Sequence, residues 1–356
     1  MTALRDGFRA LARNWGLVLL VLAVNLGLAL VLALPLANQL ERDLAHTGAS
    51  GSMMYGFDYD WWSAWSEEQE GLPGSFGPDI FGTGFAFKNL DLLLWGALPA
   101  RVFPAGAEEG TPASGPGNSR EPPGVEPLIL GAGVLYVLVQ IFLTGGLLGV
   151  LRAPQGGWTL RGLIHGSGFY FGRLVRVSLL ALGLAWIVFA LNVPFARWVD
   201  EMAREAVSER TALALGLGRH GLLLFVLVLL HAVASYARVI VVREERESAA
   251  LAFLSSLGFC ARNTLAVLGQ YGVVLLGAVA LLALWAGFDA RFAVVGWRSQ
   301  IVVLAGFELF LIGRIALRLG LMGGQLELHR ARAGAAAPVT EDAATPPAGK
   351  GGTDRV

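Results

Sequence analysis

Gly221-Leu-Leu-Leu-Phe-Val-Leu-Val-Leu-Leu230 is an unbroken apolar run that continues through His231, Ser235, Tyr236 and Arg238. A charged knot follows, Arg243-Glu-Glu-Arg-Glu247, and then an amphipathic piece, Ser248-Ala-Ala-Leu-Ala-Phe-Leu-Ser-Ser-Leu-Gly-Phe259, that leads into a second apolar run. A helix rises about 1.5 Å per residue, so roughly 20 apolar residues cross a hydrocarbon layer about 30 Å thick. The order is span, charged turn, surface helix, span. It predicts an all-α fold: a polytopic membrane bundle of six transmembrane helices with two cytoplasmic amphipathic helices.

Composition agrees. Of 356 residues, 55% are apolar and 15% are charged, against about 25% charged in an ordinary soluble domain. Net charge is zero, so no overall basic field draws nucleic acid. Cys260 is the only cysteine, which excludes a disulfide or a cysteine-based zinc site within one chain.

Outward from the opening stretch, five more spans follow the same reading. The first is Trp15 to Leu36, preceded by Arg5, Arg9 and Arg13. It is longer than a signal-peptide core and lacks a small residue at the cleavage position, so it is expected to be retained. The others are Leu128 to Leu151, Leu174 to Phe195, Thr264 to Gly287 and Ser299 to Leu321, and His220 to Val241 contains the opening run. Asn38 to Glu126 is rich in acidic and aromatic residues. Within it, Asp91 to Phe103 is too short to span and suits an interfacial helix. Pro104 to Pro127 reads as a flexible loop, and Arg197 to Arg219 as a mixed-charge loop with a short helix. The tail from Ala333 is rich in Ala, Pro and Gly, and is expected to be disordered.

The domain plan is therefore 1–37, an N-terminus and first span; 38–127, an external loop; 128–332, a five-helix core; and 333–356, the tail. Arg and Lys placement puts both termini in the cytoplasm of a bacterial inner membrane. Gly168-Phe169 and Gly258-Phe259 lie ninety positions apart in similar settings, which suggests that 128–196 and 220–287 are internal repeats of like orientation.

Polar residues at mid-span form the first candidate site: Asn25, Gln140, His231 and Glu308, with Gln270 nearer the cytoplasm. A charge at the bilayer centre costs about 2.5–3.5 kcal/mol on insertion scales, so such groups find partners inside the bundle. A His231–Glu308 pair would serve a proton- or cation-coupled site. The plainer expectation is interhelical packing through hydrogen bonds, because no third acidic group lies at depth. Arg314 and Arg318 share a helix face and are expected to snorkel as boundary anchors. With Arg238 they also make a candidate lipid-headgroup site. Asp58, Asp60, Trp61 and Trp62 form a candidate external surface for a sugar or cation, although an interfacial tryptophan belt is the simpler reading. The amphipathic stretches 158–173 and 247–261 suit either the lipid bilayer surface or a cytoplasmic protein partner.

Phosphate loops, dinucleotide-binding glycine patterns, zinc-protease motifs and nucleophile elbows are absent from the sequence, and the five histidines fall on separate segments. No cofactor, metal or catalytic set is expected. The leading expectation is a non-enzymatic structural or accessory membrane protein. A small-solute or lipid transporter using the mid-membrane site comes second, and a membrane enzyme using the external loop third.

Overall fold

The computed structural model describes residues 2–45, 47, 51, 58–69, 72–73, 127–152, 158–292 and 296–334. The predicted interfacial piece 91–103, the loop 104–126 and all of the tail beyond Gly334 lie outside them. The described residues form helices α1 (Thr2–Arg13), α2 (Gly16–Ala45), α3 (Tyr59–Glu68), α4 (Pro127–Arg152), α5 (Leu160–Arg204), α6 (Glu209–Arg243), α7 (Ala249–Arg262), α8 (Thr264–Asp289) and α9 (Gly296–Gly334). No strand occurs among them. Six helices, α2, α4, α5, α6, α8 and α9, are long and apolar enough to cross a membrane. The fold is an all-α bundle.

The helices outrun the predicted spans. α2 continues through Pro35 to Ala45. α5 has 45 residues, about 68 Å of helix, and absorbs most of the predicted surface stretch 158–173 as its first turns. Thr159 starts it by accepting from Gly162 N–H at 3.1 Å, and no breaker separates Arg173 from Leu174. At the other end, α5 and α6 extend into the predicted 197–219 loop from both sides, where Arg219 pairs with Asp200 at 3.0 Å.

The second amphipathic stretch is a separate helix, α7. Ser248 caps it by accepting from Leu251 N–H at 3.3 Å, and Asn263 divides it from α8 at φ −122° and ψ 28°. α7 crosses α6, and Ser256 Oγ donates to the Val233 carbonyl at 2.6 Å. On α5, Ser167 is equally buried and faces Gly146 of α4. The buried positions Leu163, Ser167 and Tyr170 recur as Ala252, Ser256 and Phe259, eighty-nine positions on, one short of the spacing between the Gly-Phe pairs.

Packing is concentrated at one end. α1 lies antiparallel along the last turns of α9, with Leu4 on Gly324, Gly7 on Gly323 and Gly324, and Phe8 on Gly320. The start of α1 and the last turns of α9 thus lie at one end of the bundle, called here the terminal end. α8 and α9 form an antiparallel pair in which large side chains sit on glycines: Phe288 on Gly306, Leu281 on Gly313 and Leu317 on Gly277. Gly306, Gly313 and Gly320 are seven apart, and small residues at such spacing let helix backbones approach closely.

Towards the opposite, distal end burial thins out in α2, α4 and α6, while the α8–α9 pair stays packed around Trp285 and Phe310. α2 buries Leu17, Val18 and Val21 and nothing beyond, and α4 buries nothing before Gln140. α6 buries Ala232–Ala234, Tyr236, Ala237 and Val239–Val242 near its terminal end, but only Leu223 in its first half.

The charged knot is the hub of the terminal end. Glu245 adopts φ 55°, a left-handed conformation that costs a non-glycine residue roughly 1–2 kcal/mol. Two arginines hold it. Arg152 of α4 donates to the Val242 carbonyl at 3.0 Å and to Glu245 Oε1 at 3.1 Å, and Arg173 of α5 donates to the Glu245 carbonyl at 2.9 Å. Arg173 also pairs with Glu247 at 3.5 Å. Arg246 joins Glu244 at 2.7 Å, and Arg243 donates to His329 Nδ1 at 2.6 Å. Every charge in Arg243–Glu247 therefore has an intramolecular partner.

Candidate functional site

Three helices meet in a polar relay at the boundary between the packed and open halves of the bundle. Arg318 of α9 donates to Gln140 Oε1 at 2.9 Å, and Gln140 Nε2 donates to Asn25 Oδ1 at 2.7 Å. Gln140 is the most distal buried residue of α4, and Asn25 lies one turn past the last buried residue of α2. Thr144 Oγ1 donates to the Gln140 carbonyl at 2.7 Å. Tyr136, one turn distal on α4, is a further neighbour of the Arg318 guanidinium. The relay thus joins Asn25 and Gln140, which the sequence placed in the mid-span layer, to Arg318, expected there as a boundary anchor.

A second relay lies beside it. Tyr236 donates to Gln270 Oε1 at 3.0 Å, and Gln270 Nε2 donates to the Gly324 carbonyl at 2.9 Å. Gln325 Nε2 donates to the Tyr271 hydroxyl at 3.1 Å. The His231 ring meets the Tyr271 ring edge-on at 5.9 Å, and its Nε2 lies 3.4 Å from Ser235 Oγ. These bonds satisfy the buried amides of α8 and α9.

His231 and Glu308 are not brought together. The charged neighbours of His231 are Arg238 and Arg318, whereas Glu308 lies ten residues along α9 from Arg318, about 15 Å of helix. Glu308 Oε2 is buried without a hydrogen-bond partner among the described residues. The carboxylate therefore does not neutralise the cations.

The cations form a group of their own. Arg238 feels Arg318, and Arg318 feels Arg314 one turn away on α9. Among the described residues, no carboxylate forms an ion pair with Arg238, Arg314 or Arg318. Arg238 is half-buried, while His231, Arg314 and Arg318 remain exposed at the side of the bundle. Neighbouring like charges destabilise one another, and burial of an uncompensated cation is costly. The hub at 243–247 makes the contrast sharp, because carboxylates there answer arginines from α4, from α5 and from the turn itself. An oxyanion is the ligand this arrangement suits: guanidinium forks bind carboxylate and phosphate oxygens, and the amide and phenols nearby supply neutral polar contacts.

The external candidates have structural partners. Asp58 caps α3, accepting from Trp61 N–H at 3.0 Å. Trp62 is only 1% exposed. Trp65 donates to Asp43 of α2 at 2.8 Å and stacks on Trp61 at 5.6 Å. Asp60 is exposed and Trp61 half-buried. The tryptophans thus dock α3 onto the end of α2, and leave no open face combining both aspartates with both candidate rings.

On the amphipathic stretches, Leu160, Ile164 and Phe169 of α5 and Leu251, Leu254 and Leu257 of α7 are exposed. Sequence reading put Arg318 among the candidate headgroup contacts; what it missed is the bond from Arg318 to Gln140 across helices. Compared with known proteins, the chain matches no family model, no curated protein and no solved structure.

Proposed function

We propose that this is a non-enzymatic, multi-pass carrier or binding protein for an anionic solute or lipid. Both termini lie in the cytoplasm, and Arg238, Arg314 and Arg318 hold the ligand. One observation carries the reading: Arg318, held by Gln140 at 2.9 Å, has Arg238 of α6 and Arg314 one turn away as cationic neighbours, and none of the three has a carboxylate partner among the described residues. Charged groups inside membrane spans commonly mark ligand or ion paths, and basic pockets between spans bind lipid headgroups. The transport reading therefore gains support over the purely structural one.

The test is ligand-dependent stability. The full chain in neutral detergent is titrated with a panel of anions and acidic lipids, and unfolding is followed by intrinsic tryptophan fluorescence. A ligand that binds only the folded state raises the transition temperature. At least one anion is expected to do so in the native protein and to lose its effect in Arg318→Gln. A panel without effect would refute the proposal.

The accessory reading retains one supporting observation, the exposed apolar stripes of α5 and α7. A cytoplasmic partner there would be lost on Leu254→Glu with Leu257→Glu, while anion binding persisted.

A further inference from the structure

Resting on that reading, we infer that the arginine floor binds a doubly charged phosphomonoester, presented as the headgroup of a lipid that enters from the side of the bundle.

The first ground is charge. Three guanidiniums face no acid, so a singly charged carboxylate or phosphodiester would leave two positive charges uncompensated, and a dianion leaves one. A phosphomonoester carries about −1.5 to −2 at neutral pH and presents three strong acceptor oxygens. The second ground is geometry. The donors come from two helices, Arg238 from α6 and Arg314 with Arg318 from α9, while Gln140 and Tyr136 hold part of the Arg318 guanidinium and orient it. A tetrahedral group with three terminal oxygens can accept from several guanidiniums at once, which a planar carboxylate does less well.

The source follows from position. His231, Arg314 and Arg318 are exposed on helices long and apolar enough to lie in a membrane, beside the unburied portion of α4 that contains Val134, Tyr136 and Val137. In a bilayer that surface faces acyl chains, and a lipid is the molecule that brings an anion to it while covering apolar side chains with its tails. Inorganic phosphate presents the same oxygens without tails and could reach the exposed arginines from water. The two sources differ in whether binding requires a bilayer component.

The experiment uses the full chain in nanodiscs of phosphatidylcholine. Three additions are compared: phosphatidic acid at a tenth of the lipid, phosphatidylglycerol at matched total charge, and inorganic phosphate in the buffer. The expected result is a rise of several degrees in unfolding temperature with phosphatidic acid and a rise less than half as large with phosphatidylglycerol. Apparent affinity for phosphatidic acid is expected to fall at least tenfold in Arg238→Gln and Arg318→Gln. Arg314→Gln serves as the variant least able to disturb folding, since its side chain is exposed and makes no ion pair among the described residues; monodispersity is checked for each. Arg318→Lys, which keeps the charge and loses the fork, is expected to recover only part of the binding.

An equal rise with both acidic lipids that still requires the arginines would overturn the phosphomonoester assignment and leave the anion-binding reading standing. A rise with inorganic phosphate as large as that with phosphatidic acid would overturn the lipid source. Indifference to all three additions would overturn the inference, and the wider anion panel then decides the reading beneath it. A rise unchanged in all three glutamine variants would place the ligand elsewhere and defeat the inference.

Discussion

Arg318 donates to Gln140 at 2.9 Å, and this bond fixes a guanidinium at the level where α4 ceases to be buried. Gln140 in turn holds Asn25 at 2.7 Å, so one amide links three membrane-length helices. Replacing it by leucine strands a donor and an acceptor together. We expect Gln140→Leu to cost about 1–3 kcal/mol. Asn25→Leu should cost less, nearer the roughly 0.6 kcal/mol average for interhelical bonds in membranes. Thermal unfolding in detergent checks both. If Asn25→Leu proved the more damaging, Gln140 would not be the centre of the relay.

The seat of α1 on α9 depends on glycine. A Cβ at Gly7 would overlap the backbone at Gly324, and a Cβ at Gly323 would meet the Gly7 backbone at 3.0 Å. Such overlap cannot be relieved by turning a side chain. Gly7→Leu is therefore expected to release α1 while the other helices remain assembled. Limited proteolysis after Arg9 or Arg13 should become at least tenfold faster, with far-ultraviolet circular dichroism nearly unchanged. Unaltered cleavage would show that the contact tolerates the added volume.

Cys260 on α7 provides a pH prediction outside the spans. Burial pushes its thiol up to about 11, against a smaller downward pull from its hydrogen bond with Ser256. Alkylation requires the thiolate. In the folded protein, the iodoacetamide rate should remain low at pH 8 and reach half its maximum near pH 11. In the denatured chain the midpoint should return to about 8.5. Because the folded value is the higher one, this thiol's contribution to stability is complete below the unfolded value and is lost as pH rises through the folded one. A folded midpoint below pH 9 would contradict this environment for α7.

Much of the bundle was legible in the sequence because apolar length alone identifies a membrane-length helix. The six spans and the charged knot were read from composition, and Asn25 and Gln140 by counting inward from span ends. Helix ends were harder to read. α5 and α9 run beyond the apolar stretch because nothing breaks them, and polar residues past a boundary are read as loop. Pairing across helices was not legible either: His231 and Glu308 share an approximate depth by counting, yet helix rotation and offset decide which residues meet. The seven-residue spacing of Gly306, Gly313 and Gly320 was available as a signal for close approach of α9 to its neighbours.

The most direct measurement concerns Arg238, which is half-buried beside Arg318 and has no acidic partner among the described residues. Unfolding temperatures of native protein and Arg238→Gln are compared in neutral detergent, with and without phosphatidic acid. If these arginines exist to bind an anion, removing one positive charge raises stability in the bare detergent, by relieving like-charge repulsion, and abolishes most of the lipid-induced rise. A variant less stable than the native protein in bare detergent, with the lipid-induced rise intact, would show that Arg238 is a packing residue and would contradict the account.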